Sequence, residues 1–330
     1  LDRDYLLFGV GNALLDIIIN THDENIERLG LRKGTMKLIT IDELANLAPF
    51  IESNANRALI PAGSVGNSAK ITALLNQKAV FFGTVGKDEN GRAYEEGMRN
   101  TGVYTCLKKL DSSPTGICLS LITPDGERTM LTFLGAAGEL DTSVIDPELF
   151  NKTQFLYIEG YQFTHQKGID TITAMLKNAK ETGVRTAFDL SDPFVATSNK
   201  EKILEILDMV DILFANEIEA ESFSGTKDPD KSIAYLKTLV GMPVIKLGAR
   251  GSMAFYRGRI FYRETRSIKP LDTTGAGDSY SAGFLTGLAN GMDIEECLHL
   301  GNRIAGEMVK IYGTELKKNQ VKDIVTEFGL

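Results

Sequence analysis

The stretch Asp272-Thr273-Thr274-Gly275-Ala276-Gly277-Asp278 runs straight into Ser279-Tyr280-Ser281-Ala282-Gly283-Phe284-Leu285, a small-residue apolar run of helical character. Glycines where the helix must begin leave the backbone N–H groups of Gly275, Ala276 and Gly277 open to a ligand. Such an end draws anions. A carboxylate beside an anion site is electrostatically costly unless it has a task. For Asp278 that task would be to take the proton of a hydroxyl attacking a bound phosphoryl group. Taken alone, the same aspartate could simply cap its helix.

Further constellations surround this one. Ala62-Gly63-Ser64-Val65-Gly66-Asn67-Ser68-Ala69 leads into the helix-like 70–76, with Gly63 permitting close backbone approach and Asn67 offering a donor and acceptors suited to hydroxyls. As a bare turn it would equally serve to cap that helix. Gly9-Val10-Gly11-Asn12-Ala13-Leu14-Leu15-Asp16 follows a strand; Leu14 stands where a dinucleotide fingerprint needs its third glycine, which weakens a nicotinamide-enzyme reading. Asn12 and Asp16 instead suit the vicinal hydroxyls of a sugar. Asn216 and Glu219 lie one helical turn apart at a strand-to-helix junction, where they could organise phosphates and, through water, Mg²⁺. Lys246-Leu247-Gly248-Ala249-Arg250-Gly251 puts two glycines after a strand, as a nucleotide loop or an ordinary turn would. No Gly-x-x-x-x-Gly-Lys-Ser/Thr occurs, which excludes a P-loop enzyme.

The elements that must position these residues read as alternating strands and helices. Apolar strand-like runs at 5–10, 79–85, 155–159, 185–190, 212–215 and 244–247 are separated by helical spacings such as Ile169, Ile172, Leu176 and Ala179, then Ile203, Leu204, Leu207 and Val210. That alternation predicts an α/β fold with a mostly parallel sheet covered on both faces. Segments 14–20, 36–40 and 103–134 are strand-rich without helices, the last turning at Pro124-Asp125-Gly126, and are expected to form a small separate β-sheet lid. A second hairpin is predicted at 252–263 around Arg257-Gly258, followed by helices at 278–290, 294–311 and 320–328. One domain over residues 1–330 is expected, because no linker marks a split.

Composition bounds the rest. Apolar residues at 43% and charged residues at 24% of 330 are ordinary for a soluble globular chain. A net charge of −8 without a basic block argues against a nucleic-acid partner, and no apolar run reaches membrane-spanning length. The opening Leu1-Asp2-Arg3-Asp4 has no secretory pattern, so a cytoplasmic location is expected. Cys106, Cys118 and Cys297 are too scattered for zinc or a disulfide framework, and His22, His165 and His299 have no metal-ligand spacing. Any metal should therefore arrive with a ligand.

In this order and spacing, the residues resemble the ribokinase-like carbohydrate kinases known as the PfkB family. Asp272 to Asp278 matches that family's C-terminal signature, and Gly63 to Asn67 with Val85-Gly86-Lys87-Asp88-x-x-Gly91 matches its N-terminal one. The resemblance implies a three-layer αβα sandwich with a β-lid, and ATP with Mg²⁺ as cofactors. It implies Asp278 as catalytic base, the 275–277 amides as anion hole, and Asp16, Gly63, Asn67 and, more weakly, Glu159 as substrate ligands. Asn216 and Glu219 correspond to its Mg²⁺ and phosphate element, and Gly248 and Gly251 to its nucleotide loop. Lys246 stands where many members have threonine, and Asn302 resembles an adenine-side position. A K⁺ site near Asp272, Thr274 and Gly313 is a further implication. Gly11 to Asp16 is similar to the adenosine kinases, in which an Asn and an Asp hold ribose hydroxyls. Phe133, Tyr161, Phe163 and Phe194 are then available for a purine slot. The expected function is phosphorylation of a ribose-type primary hydroxyl, foremost the 5′-hydroxyl of adenosine, in a monomer or homodimer. The alternatives are a kinase for ribose, fructose or a keto-deoxy sugar acid, and a catalytically silent nucleoside- or nucleotide-binding protein.

Overall fold

The computed structural model describes residues 3–54 and 56–330, so the opening Leu1-Asp2 lies outside the described residues. Among these, fourteen strands make two sheets. The strands are β1 (Tyr5–Val10), β2 (Leu14–Asn20), β3 (Met36–Leu38), β4 (Ala58–Ala62), β5 (Ala79–Gly86), β6 (Tyr104–Leu110) and β7 (Gly116–Ile122). They continue as β8 (Arg128–Phe133), β9 (Thr153–Glu159), β10 (Arg185–Asp189), β11 (Ile212–Asn216), β12 (Met242–Lys246), β13 (Ser252–Tyr256) and β14 (Arg259–Arg263).

The large sheet runs β14-β13-β12-β11-β10-β9-β1-β5-β6 and is parallel from β12 to β6. Its antiparallel edge is the β13–β14 hairpin, which turns at Arg257 and Gly258 in left-handed conformations. Both faces are dry. Leu7, Phe81, Phe155 and Phe214 point into one apolar cluster, while Phe8, Phe82, Leu156 and Leu213 point into the other. A period of two along each strand therefore feeds two cores, one under each helical layer.

The small sheet runs β3-β8-β7-β2-β4. It differs from expectation in two ways. The 103–134 segment is divided: β6 pairs in parallel with β5 as the large sheet's edge, and only β7 and β8 enter the small sheet. Strand β4 also joins it, antiparallel to β2, whereas β2–β7 and β3–β8 are parallel. Periodicity cannot tell which sheet an edge-type strand joins, because pairing is decided by distant partners.

The helix Ala276–Ala289 packs beside Ser64–Leu74 and Ile294–Met308. Its Tyr280 and Phe284 rings meet Phe214 of β11 edge-on at centroid distances of 6.5 and 5.5 Å, and Tyr157 of β9 meets the same ring at 6.2 Å. Such a ring is hard to remove. Phe214→Ala is expected to cost about 3–5 kcal/mol of unfolding free energy, measured by urea denaturation. A loss below about 1 kcal/mol would mean the cluster collapses around the void.

Candidate active site

A cavity of about 610 Å³ opens between the small sheet and the carboxyl ends of the parallel strands. That crevice is where open α/β sheets bind ligands, because the loops leaving the strands converge there. Leu14 and Asp16 of β2, Cys118 of β7, and Met130 and Thr132 of β8 form one wall. Asp189, Asn216 and Lys246, each the last residue of its strand, form another, and the segment from Thr273 to Asp278 closes the floor.

Two glycines set the floor. Gly275 is the N-cap of the helix Ala276–Ala289 with φ +74°, a conformation that L side chains adopt at a cost. Gly63 is the N-cap of Ser64–Leu74 with φ +97°, and a Cβ there would stand 2.1 Å from the backbone oxygen of Asn12. The two helix N-termini thus face each other across Asp278. Ser64 Oγ donates to Asp278 Oδ1 at 2.7 Å, and Asn67 Nδ2 donates to Oδ2 at 2.9 Å. Burial pushes the Asp278 carboxyl up to about 6, against the downward pull of those two hydrogen bonds. Such a carboxylate is ionised at neutral pH yet basic enough to accept a proton.

Of the three glycine-loop amides, Ala276 N–H donates to the Thr273 carbonyl at 3.2 Å. Those of Gly275 and Gly277 have no protein acceptor among the described residues, so the open pair is narrower than the expected three.

On the acceptor side, Asp16 reaches the cavity with no hydrogen-bond partner for its carboxylate among the described residues, and burial raises it to about 6. Asn67 Oδ1 is buried and unpaired. Asn12 and Glu159 are placed elsewhere. Glu159 accepts from the backbone N–H groups of Asn12 at 2.7 Å and Val65 at 3.0 Å, and from Gln162 Nε2 at 3.2 Å. Asn12 Oδ1 accepts from Gln162 Nε2 at 2.9 Å. Neither residue lines the cavity. They brace the turn after β1 against the helix that carries Ser64 and Asn67. Of the four aromatics considered, only Tyr161 lines the cavity; Phe163 packs on Phe188 in the core, Phe194 is exposed, and Phe133 does not reach the wall.

Asn216 and Glu219 make a capping box: Asn216 N–H donates to Glu219 Oε2 at 2.8 Å, and Glu219 N–H donates to Asn216 Oδ1 at 2.8 Å. Glu219 is nevertheless buried at the cavity wall, which a solvated cap would not be, and burial raises it to about 7. No group of three or more His, Cys, Asp or Glu side chains forms a metal cage among the described residues. The donor set therefore fits a hydrated Mg²⁺ carried in on phosphates better than a dehydrated resident ion. Gly248, Gly251 and Asn302 line the far end, and Asn302 Nδ2 donates to the Arg263 carbonyl at 3.0 Å.

Asp272, Thr274 and Gly313 do converge, but around a side chain. Arg128 Nη1 of β8 donates to Asp272 Oδ2 at 2.8 Å and to Thr274 Oγ1 at 2.9 Å, while Gly313 N–H donates to Asp272 Oδ2 at 2.8 Å. A guanidinium already supplies the positive charge expected of K⁺, and it ties the small sheet to the floor. Ser64 and Asp189 line the cavity although sequence reasoning gave neither a role, and Arg128 acts from outside its lining. Asp189 had a usable signal: it ends a parallel strand on the ligand-binding side.

This is the architecture of a ribokinase-like α/β kinase. The chain belongs to the pfkB family of carbohydrate kinases, whose model matches residues 38–320, and it is a phosphotransferase. It is 28% identical to the adenosine kinase of Dictyostelium discoideum over 94% of this chain and 96% of that one. Among solved structures, it is similar to the adenosine kinase from Sinorhizobium meliloti, with a TM-score of 0.87, 32% identity, and 98% and 99% of the two chains covered. A probable sugar kinase protein from Rhizobium etli CFN 42 gives a TM-score of 0.88 at 28% identity, covering 99% of each chain.

Proposed function

We propose that this chain transfers the γ-phosphoryl group of ATP to the 5′-hydroxyl of adenosine. The observation that carries the acceptor is the pair of unused hydrogen-bonding groups, the Asp16 carboxylate and Asn67 Oδ1, facing one cavity beside Asp278. Vicinal ribose hydroxyls satisfy the Asp16 acceptor, and Leu14, Met130 and Tyr161 offer apolar surface to a base. Relatives named adenosine kinase over nearly their whole length support the same choice.

In this reading Asp278 takes the proton of the 5′-hydroxyl as its oxygen attacks the γ-phosphorus. The bond to the β–γ bridging oxygen breaks, and its electron pair leaves with ADP. The Gly275 and Gly277 amides face the charge on the transferring group. Gly248, Gly251 and Asn302 take the nucleotide end. Mg²⁺ supplies charge neutralisation on the triphosphate, and Asn216 and Glu219 would meet it through water. Residues 3–330 act as one kinase unit, with the small sheet as lid. No helix among the described residues is long and apolar enough to cross a membrane. Three free, buried cysteines suit the reducing cytoplasm, the compartment we propose.

The second reading is a sugar kinase, favoured because only Tyr161 of the four purine-slot candidates lines the cavity, and by the similarity to the Rhizobium etli protein. ADP release measured over adenosine, inosine, ribose, fructose and 2-keto-3-deoxygluconate separates the two. Adenosine is expected to give a kcat/KM at least about tenfold above every other acceptor. A sugar in that place overturns the adenosine assignment, and nucleotide binding without ADP release from any acceptor overturns the kinase chemistry.

A further inference from the structure

Lys246 ends β12 at the cavity wall with its side chain 12% exposed. Its Nζ donates to Asp189 Oδ2 at 2.7 Å and to no other acceptor among the described residues. An ammonium carries three N–H bonds, and leaving two of them unused at a largely buried position is costly unless a ligand takes them. A methyl group placed on Gly277 would stand 3.3 Å from this Nζ. The charge therefore lies beside Gly277 in the first turn of the helix Ala276–Ala289, close enough to Asp278 for the two charges to interact.

Asp189 is anchored from four directions. Tyr157 Oη of β9 donates to its Oδ2 at 3.2 Å, and Ser281 Oγ of the floor helix donates to the same oxygen at 3.1 Å. Lys246 is the third donor to Oδ2. Ser191 N–H donates to Oδ1 at 3.0 Å, and Ser191 is held at φ +67°, a strained conformation for a residue with a side chain. A carboxylate at the end of β10, fixed by a β9 tyrosine, the floor helix and the Ser191 loop, holds the ammonium in one place.

Resting on the phosphotransfer reading above, we propose that Lys246 is a catalytic residue that contacts the transferring γ-phosphoryl group, with Asp189 as its positioning residue. As the acceptor oxygen–phosphorus bond forms and the bridging oxygen departs with its electron pair to ADP, the acceptor proton passes to Asp278. The three non-bridging oxygens keep their negative charge throughout. Lys246 neutralises part of that charge from beside Gly277, a preorganised contact that needs no rearrangement during reaction. Burial would drive the proton off Lys246, but the carboxylates of Asp189, Glu219 and Asp278 outweigh it and hold its pKa above the ordinary value. It stays a cation through the working range.

The test compares wild type, Lys246→Met, Asp189→Asn and the double variant. Calorimetric affinities for Mg·AMPPNP and Mg·ADP are measured without acceptor, and kcat is measured with adenosine. Lys246→Met is expected to weaken AMPPNP about tenfold or more at nearly unchanged ADP affinity and to lower kcat about a hundredfold. Asp189→Asn should give a smaller loss of kcat with the AMPPNP preference retained. If Lys246→Met fails to fold around an unpaired Asp189, the charge-neutral double variant carries the test, with the same loss expected. Recovery of wild-type kcat and AMPPNP preference in the double variant would show that Lys246 only neutralises Asp189, and it overturns the proposal. Equal weakening of both nucleotides, or of neither, does the same. A wild type that prefers AMPPNP but phosphorylates no adenosine refutes the acceptor assignment separately, while the nucleotide ratios still decide the role of Lys246.

Discussion

Asp278→Asn is expected to lower kcat by about 10²–10⁴-fold while leaving Mg·ATP affinity within about threefold. Asparagine keeps the shape and cannot accept the hydroxyl proton. Its surroundings tolerate the change: Ser64 Oγ can still donate, and Asn67, whose Oδ1 is unpaired, can turn its amide to meet the new NH₂ group. The wild type also makes a pH prediction. Because burial raises the Asp278 carboxyl to about 6, its base form is lost as pH falls through 6, and kcat/KM should drop about tenfold per unit below that. Asp16, raised to about 6 as well, can steepen this limb. In Asp278→Asn the residual rate should lose the Asp278 contribution to that limb. Near-normal turnover in a folded variant would reduce Asp278 to a helix cap.

Asp16→Asn is expected to lower kcat/KM for adenosine by about 10²–10³-fold, chiefly through KM. A carboxylate can accept from two neighbouring hydroxyls, each such bond contributing about 1.5–3 kcal/mol, and a neutral amide cannot replace both. Stability should move the other way. The folded-state pKa of Asp16, about 6, lies above its ordinary 3.8, mainly through burial, with Lys70 and Arg128 pulling it down. The stabilisation that goes with the protonated form is complete below pH 3.8 and is lost as pH rises through 6. Keeping this group ionised at pH 8 thus costs the unliganded fold on the order of 3 kcal/mol. The amide removes that cost, so the variant should melt at a higher temperature than wild type at pH 8, and the difference should shrink by pH 5. A variant that is both less stable and fully active would assign Asp16 to the fold instead of to the acceptor.

Legibility in the sequence followed the range of the forces involved. The β1, β2 and C-terminal helix assignments follow from apolar period and flanking breakers, which are local. The start of the Asp278 helix is legible for the same reason, since glycines preceding a small apolar run leave few alternatives. The assignment of β6 to the small sheet was different: its own residues do not encode its neighbour, and β5 claimed it. The family resemblance implied Glu159, weakly, as a substrate ligand, yet the backbone N–H groups of Asn12 and Val65 turn it inward. Three of the four candidate purine aromatics went elsewhere, because an aromatic ring fits a core as well as a pocket.

From the sequence by itself come the α/β alternation, the two glycine-led helix starts, the acid beside the second of them, and the family they imply. Each is written within a dozen or so residues, where spacing and backbone freedom decide the outcome. Only the tertiary structure brings Ser64 to Asp278 across 214 residues, Arg128 to Asp272 across 144, and Lys246 to Asp189 across 57. Those pairings set the charge balance of the site. They depend on which strands become neighbours and how far each side chain is withdrawn from water, and neither is a local property of the chain.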